Sequence, residues 1–226
     1  MTKIKQQLDT RNALIQSGIK LFGEYGLNGT STRMLSHDCG ANIALISYHF
    51  GNKEGLYEAC LDYISLRIQD YIKGTYVTLG DIIRKEKPTA HEAKQVIDSI
   101  IETMLTMFLV HEEPKSWNVL ISREQSNPTP AFDIIYDSII KRIQQDLTRM
   151  IAIYIGRDPN SEESKIRSHI FISQVLGFIT SRESFLRHMG TDNLSQAQIG
   201  KTRKVVKEYI DTVLNGLRAC QLKEAE

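Results

Sequence analysis

The chain has five prolines in 226 residues, and they fall in four places: Pro88, Pro114, the pair Pro128 and Pro130, and Pro159. Proline ends or kinks helices and is kept out of central strands, so these positions punctuate the chain. The stretches between them are rich in Ile, Leu, Lys, Glu and Gln, which favour helix. Apolar residues recur there at helical spacing. Ala13, Leu14, Ile15, Ile19, Leu21 and Phe22 trace one face, and Val96, Ile97, Ile100, Ile101, Met104, Leu105 and Phe108 another. No strand–turn–strand alternation interrupts the pattern. The expectation is an all-α protein of about nine helices.

The bulk properties narrow the function. Hydrophobic residues make up 41% and charged residues 24%, and the formal net charge is +1. That balance excludes a uniformly basic coat for nucleic acid but leaves room for a local site. Three cysteines, Cys39, Cys60 and Cys220, stand at unrelated spacings. With no C-x-x-C and no Cys/His cluster, no metal is expected, and the expected compartment is the reducing cytosol. His111, His169 and His188 are too scattered for a metal site or a catalytic triad. The opening Met1 to Arg11 is polar, so no signal peptide is expected. The most apolar run, Met104 to Val110, is far short of the ~20 residues a bilayer span needs. Neither a nucleophile–base pair nor a Gly-rich phosphate loop is present, so no enzyme and no cofactor are expected.

The first quarter of the chain poses a sharper question. Gly40 and Gly51 fence off a segment long enough for only about two turns of helix. A helix that short is marginal alone and needs neighbours to hold it. Asp9 or Thr10 offers a cap for a first helix, ended by the glycines from Gly23 to Gly29. Thr30, Ser31 and Thr32 offer caps for a second, through to Cys39. Gly40 turns, Asn42 caps a third helix from Ile43 to Phe50, and Lys53–Glu54 opens a long fourth. Two short helices joined at a glycine and braced by longer ones make a helix-turn-helix, whose second helix enters the major groove of DNA. Asn42 and Ser47 can hydrogen-bond base edges there, and Ala44 and Leu45 can meet thymine methyls. Arg33 is the best further polar reader. Tyr48, His49 and Lys53 are candidates for phosphate contact. Thr30 and Thr32, at the start of the second helix, complete the candidate DNA-contacting set.

These residues resemble a known family. The run Leu21-Phe-Gly-Glu-Tyr-Gly26, then Thr30-Ser-Thr32, then Tyr48-His-Phe-Gly-Asn-Lys-Glu-Gly-Leu-Tyr57 is similar to the N-terminal DNA-binding domain of TetR-family regulators. The resemblance covers residues from about 10 to 57. Leu120-Ile-Ser-Arg-Glu-Gln-Ser-Asn-Pro-Thr129, with Leu147-Thr-Arg-Met-Ile-Ala152 downstream, resembles the CecR type within that family. The resemblance implies a DNA-binding domain at 1–54 and a helical ligand-sensing and dimerisation domain at 55–226. It implies a homodimer, a double-stranded operator, a small-molecule effector, and control of genes linked to efflux and antibiotic sensitivity. The chain departs from the family in one respect. Reading helices of TetR regulators often begin with small polar and basic residues, whereas this one begins Asn42-Ile-Ala-Leu-Ile-Ser47. The expected readout therefore has few direct base hydrogen bonds and more dependence on DNA shape.

Downstream, the last two long helices, 161–186 and 195–217, are apolar over more than one face. A surface helix shows a single stripe, so a second subunit is expected against them, in a four-helix bundle with two helices from each chain. Effector-binding candidates are Trp117, Arg123 and Gln125 near the proline loop, with Met104, Phe108, Phe171, Gln174 and Phe178 among the middle helices. For Trp117 and the apolar residues, simple core packing is the competing reading. The competing functional class is an all-α small-molecule-binding protein or enzyme without DNA readout, and a helical adaptor that no longer reads DNA is a third. Sequence-specific DNA binding separates both from a regulator.

Overall fold

The computed structural model describes residues 3–224, with side chains described from residue 9 onward except at 222 and 224. Among the described residues every regular element is helical. In chain order these are α1 (Lys3–Gly29), α2 (Thr32–Cys39), α3 (Ala44–Phe50), α4 (Lys53–Arg84), α5 (Ala90–Val110) and α6 (Glu113–Ser126). They continue with α7 (Phe132–Ile135), α8 (Lys141–Ile155), α9 (Glu162–Thr180), α10 (Arg182–His188) and α11 (Gln196–Glu224).

Two helices expected to run unbroken are divided, which accounts for the excess over nine. A π-helical turn, Tyr136–Ile140, separates α7 from α8. There Ser138 Oγ donates to the Ile134 carbonyl at 2.5 Å and shares a 2.6 Å hydrogen bond with Ser65 Oγ. A serine that bonds back four residues competes with the helical ladder and bends it. The second break is at Ser181, whose φ of −113° and ψ of 29° divide α9 from α10. The first helix also differs from expectation: it begins at Lys3, so neither Asp9 nor Thr10 caps it. Nothing between Lys3 and Leu8 breaks a helix, and the capping side chains are simply absorbed.

Other ends follow local chemistry closely. Ser31 Oγ accepts the Met34 N–H at the start of α2. Thr89 and Glu92 form a reciprocal capping box at the start of α5, the arrangement that satisfies two orphan N–H groups at once. Pro114 sits in the first turn of α6, where its missing N–H costs nothing.

The chain forms two compact units. The first comprises α1–α3, α4 as far as Ile68, and Glu112–Ile139. It therefore extends past residue 54 and takes in α6. Here α1 packs on α2 and α6, burying Leu14, Ile15, Phe22, Leu35, Ile46, Leu56, Trp117 and Leu120. Each such side chain contributes roughly 1.5–3 kcal/mol on burial. Cys60 is buried in the same core, and burial pushes its thiol up. The second unit comprises Gln69–His111 and the chain from Ile140 on. In it α5 packs on α8 and α9, and α11 packs on α8 and α5. Met104, Phe108 and Phe171 belong to its continuous apolar core.

Candidate nucleic-acid interface

The short helices α2 and α3 are held by one buried side chain each, Leu35 and Ile46. Both are essentially inaccessible. Because α3 has only seven residues, its persistence rests on this packing and its ends rather than on propensity. Asn42 Oδ1 accepts the Ala44 N–H at 2.9 Å, and the Gly51 N–H closes the other end on Ser47 O at 3.0 Å. The turn between α2 and α3 places Gly40 at φ 65°. Ser36 Oγ ties it shut by donating to Ala41 O at 2.5 Å.

With Ile46 turned inward, the opposite face of α3 is open. Asn42, Ile43, Ala44, Ser47 and Tyr48 are exposed, as are Arg33 and His37 one turn apart on α2. Tyr48 is 69% exposed, and its ring meets the His49 ring edge-on. Thr32, Leu45 and His49 are half-buried. The guanidinium of Arg11, on α1, lies 5.3 Å from the centre of the Phe50 ring. Arg11, His37 and Ile43 were absent from the expected contact set. His37 was legible, since it follows Arg33 by four residues on the same helical face.

Thr30 is a correction. It is 1% exposed, and its hydroxyl lies 3.0 Å from Leu21 O and 2.8 Å from Gly26 O. The physical reason is the end of α1, which leaves carbonyls that need donors. Lys53 is drawn into the same task. Its ammonium donates to Leu27 O at 2.7 Å and Thr30 O at 3.0 Å, so its charge sits on a helix end rather than reaching freely outward. Asp38 is held below the usual carboxylate range by hydrogen bonds from the Lys20 ammonium and Ser17, and its 2.5 Å pair with Lys20 ties α2 to α1.

The expected effector residues divide between the units. Trp117, Arg123 and Gln125 lie on α6 in the first unit. Trp117 is 1% exposed, and Arg123 bonds the end of α1. Phe178 packs edge-on against Phe185, and Gln174 is half-buried on α9. A cavity of about 790 Å³ in the second unit is lined by α4, α5 and α11 residues, and none of the expected effector residues lines it. Its walls combine hydroxyls of Thr75, Thr78 and Ser99 with Leu79, Leu105 and Ile210. Among the described residues no group of three His, Cys, Asp or Glu side chains is placed to hold a metal, and no helix is long and apolar enough to cross a membrane.

Comparison with known proteins agrees with this geometry. The model for bacterial regulatory proteins of the tetR family matches residues 14–60. The model for the C-terminal domain of the HTH-type transcriptional dual regulator CecR matches residues 93–217. Over 207 residues the chain is 30% identical to CecR of Shigella flexneri, covering 92% of each chain. The fold is similar to that of PfmR, a TetR-family regulator from Thermus thermophilus, with a TM-score of 0.55 and 18% identity over 89% of this chain and 93% of that one. It is also similar to AibR, solved with isovaleryl coenzyme A and operator DNA, with a TM-score of 0.55 and 14% identity over 75% and 85%. The helix-turn-helix pair with its outward face, and family matches that together span most of the chain, lead to one conclusion: this is a DNA-binding transcriptional regulator belonging to the TetR family.

Proposed function

We propose that the protein is a ligand-responsive repressor that binds a palindromic operator as a homodimer and is released by a small-molecule effector. The carrying observation is the two-sidedness of α2 and α3: Leu35 and Ile46 face in, while Arg33, Ala44, Ser47 and Tyr48 face out. Such a pair lays α3 in the major groove, with Tyr48 and His49 toward phosphate and Ala44 toward thymine methyls. The acceptor of Asn42 is already used by the Ala44 N–H, which leaves its amide N–H groups for base acceptors. The scarcity of base-edge donors fits a readout weighted to shape.

Dimerisation is assigned to α9 and α11. Ile166 and Ile170 on α9, and Val205 and Tyr209 on α11, are each more than 45% exposed, at 59%, 50%, 55% and 55%. Within each helix the pair is four residues apart and shares a face. A twofold dimer presents two reading helices to half-sites about one helical turn apart, ~34–36 Å. The effector is assigned to the cavity of the second unit, whose size falls in the range of small-molecule sites, roughly 300–1,000 Å³. Effector and operator weaken each other equally by linkage, provided the effector binds the two states differently. The regulated genes are those of efflux and antibiotic sensitivity, on the resemblance to the CecR type. The test is selection of bound duplexes from a random pool at near-physiological salt. Enrichment of two short inverted half-sites supports the reading, and failure of folded protein to enrich any sequence contradicts it.

A further inference from the structure

The two short reading helices are inserted between the end of α1 and the start of α4. Base reading needs both attachment points fixed, because contacts to base edges tolerate displacements of only about half an ångström. Phosphate contacts, which carry no sequence information, are more forgiving. What fixes the two ends relative to each other is therefore a question about specificity.

Neighbouring residues on α6 address one end each. Arg123 reaches α1: Nε donates to Gly23 O at 3.1 Å and Nη2 to Glu24 O at 3.0 Å. A cation with a planar fork suits the exposed carbonyls of a helix C-terminus. The chain then turns at Gly26, with φ 75° and ψ 172°. A Cβ on Gly26 would lie 3.1 Å from Arg123 Nη1, so the guanidinium lies directly against the turn. Four residues on is Thr30, which bonds back to Leu21 and Gly26, and next is Ser31, the cap of α2. Glu124 reaches α4. Its carboxylate is 1% exposed and accepts from Tyr57 Oη, from the Thr129 N–H at 3.1 Å and from Thr129 Oγ1 at 3.1 Å. Burial and the Glu124 carboxylate push the Tyr57 hydroxyl up, which keeps it a donor. The Tyr57 ring packs edge-on against Phe22 of α1 at 5.0 Å.

We infer that Arg123 and Glu124 are positioning residues for sequence recognition: together they clamp the two ends of the reading pair at a fixed separation without touching DNA. This rests on the reading of α3 as the base-reading helix. It also replaces the expected effector role of Arg123, whose donors are turned to α1.

The test uses the full-length protein, a selected operator duplex and a scrambled duplex of equal length and composition. Fluorescence anisotropy gives both affinities for wild type, Arg123→Ala, Arg123→Lys and Glu124→Gln. Clamping predicts that Arg123→Ala loses about tenfold or more on the operator while affinity for the scrambled duplex changes less than about twofold. Arg123→Lys, which keeps the charge but not the fork, falls between. An unchanged operator-to-scrambled ratio in folded Arg123→Lys and Glu124→Gln overturns the inference. So does equal loss on both duplexes, which marks a role in stability alone. Wild type that fails to prefer the operator is a different failure: it removes the reading of α3, and with it the recognition role of the clamp.

Discussion

At the scale of single residues, α2 and α3 separate side chains open to solvent, such as Arg33 and Tyr48, from side chains that hold the pair in place, such as Leu35 and Ile46. Tyr48 is exposed and carries little of the core. Tyr48→Ala is expected to weaken operator binding by about 1 kcal/mol while the unfolding free energy stays within the roughly ±0.5 kcal/mol typical of surface changes. Thr30→Val should do the reverse in part: it removes the donor that serves Leu21 O and Gly26 O. It is expected to cost about 1 kcal/mol of stability in urea unfolding, because a buried hydroxyl hydrogen bond is lost while Gly26 O keeps the Thr30 N–H at 3.1 Å. The Lys20–Asp38 pair adds a pH signature. Asp38 is depressed in the folded protein, so its contribution is present above the ordinary carboxylate pKa of ~3.9 and fades as pH falls through the lower folded value. Urea midpoints of wild type and Asp38→Asn should therefore differ at neutral pH and converge in acid. The burial of Thr30 and the Lys53 bonds to Leu27 O and Thr30 O were not legible in the sequence. A threonine beside a serine and another threonine looks like any of three caps, and only the kink at Gly26 decides that Thr30 folds inward. Glu124 was hidden likewise, since a polar residue in Arg-Glu-Gln at a helix end ordinarily faces water.

At the scale of elements, helix type and most ends followed from local chemistry. Gly40 and Gly51 do mark the turns flanking α3. Breaks within helices were not foreseen, because the π turn at Tyr136–Ile140 and the break at Ser181 involve no proline or glycine. The serine of the π turn bonds both its own helix and Ser65 on α4, a tertiary contact no local pattern contains. The junction of α3 and α4 is tighter than either helix requires. A Cβ on Gly55 would lie 2.1 Å from the Phe50 carbonyl oxygen, a backbone atom. Gly55→Ala therefore forces the end of α3 away from α4. Its expected cost is about 1–3 kcal/mol of stability, as for overpacking, with operator binding reduced further than binding to scrambled DNA. Thermal unfolding and anisotropy on the same preparation check both parts.

At the scale of the whole molecule, the proposed regulator is a dimer that reads two half-sites. The broad apolarity of the last long helices was legible, and the exposed pairs Ile166/Ile170 and Val205/Tyr209 match it. The walls of the cavity proposed for the effector were not legible. Large aromatic and sulfur-bearing side chains such as Phe108, Phe171 and Met104 pack the core, whereas the cavity is walled by a mixture of ordinary appearance: Thr75, Thr78 and Ser99 beside Leu79, Leu105 and Lys207. Tyr209→Glu places a charge on the proposed interface and is expected to shift sedimentation from dimer toward monomer, since an unpaired buried charge opposes association. The most direct measurement is hydroxyl-radical footprinting of the selected duplex, with the mass of the same complex read by sedimentation equilibrium. A dimer gives two chains per duplex and two protected half-sites with centres about one helical turn apart. One chain protecting a single site, or protection without sequence boundaries, would contradict it.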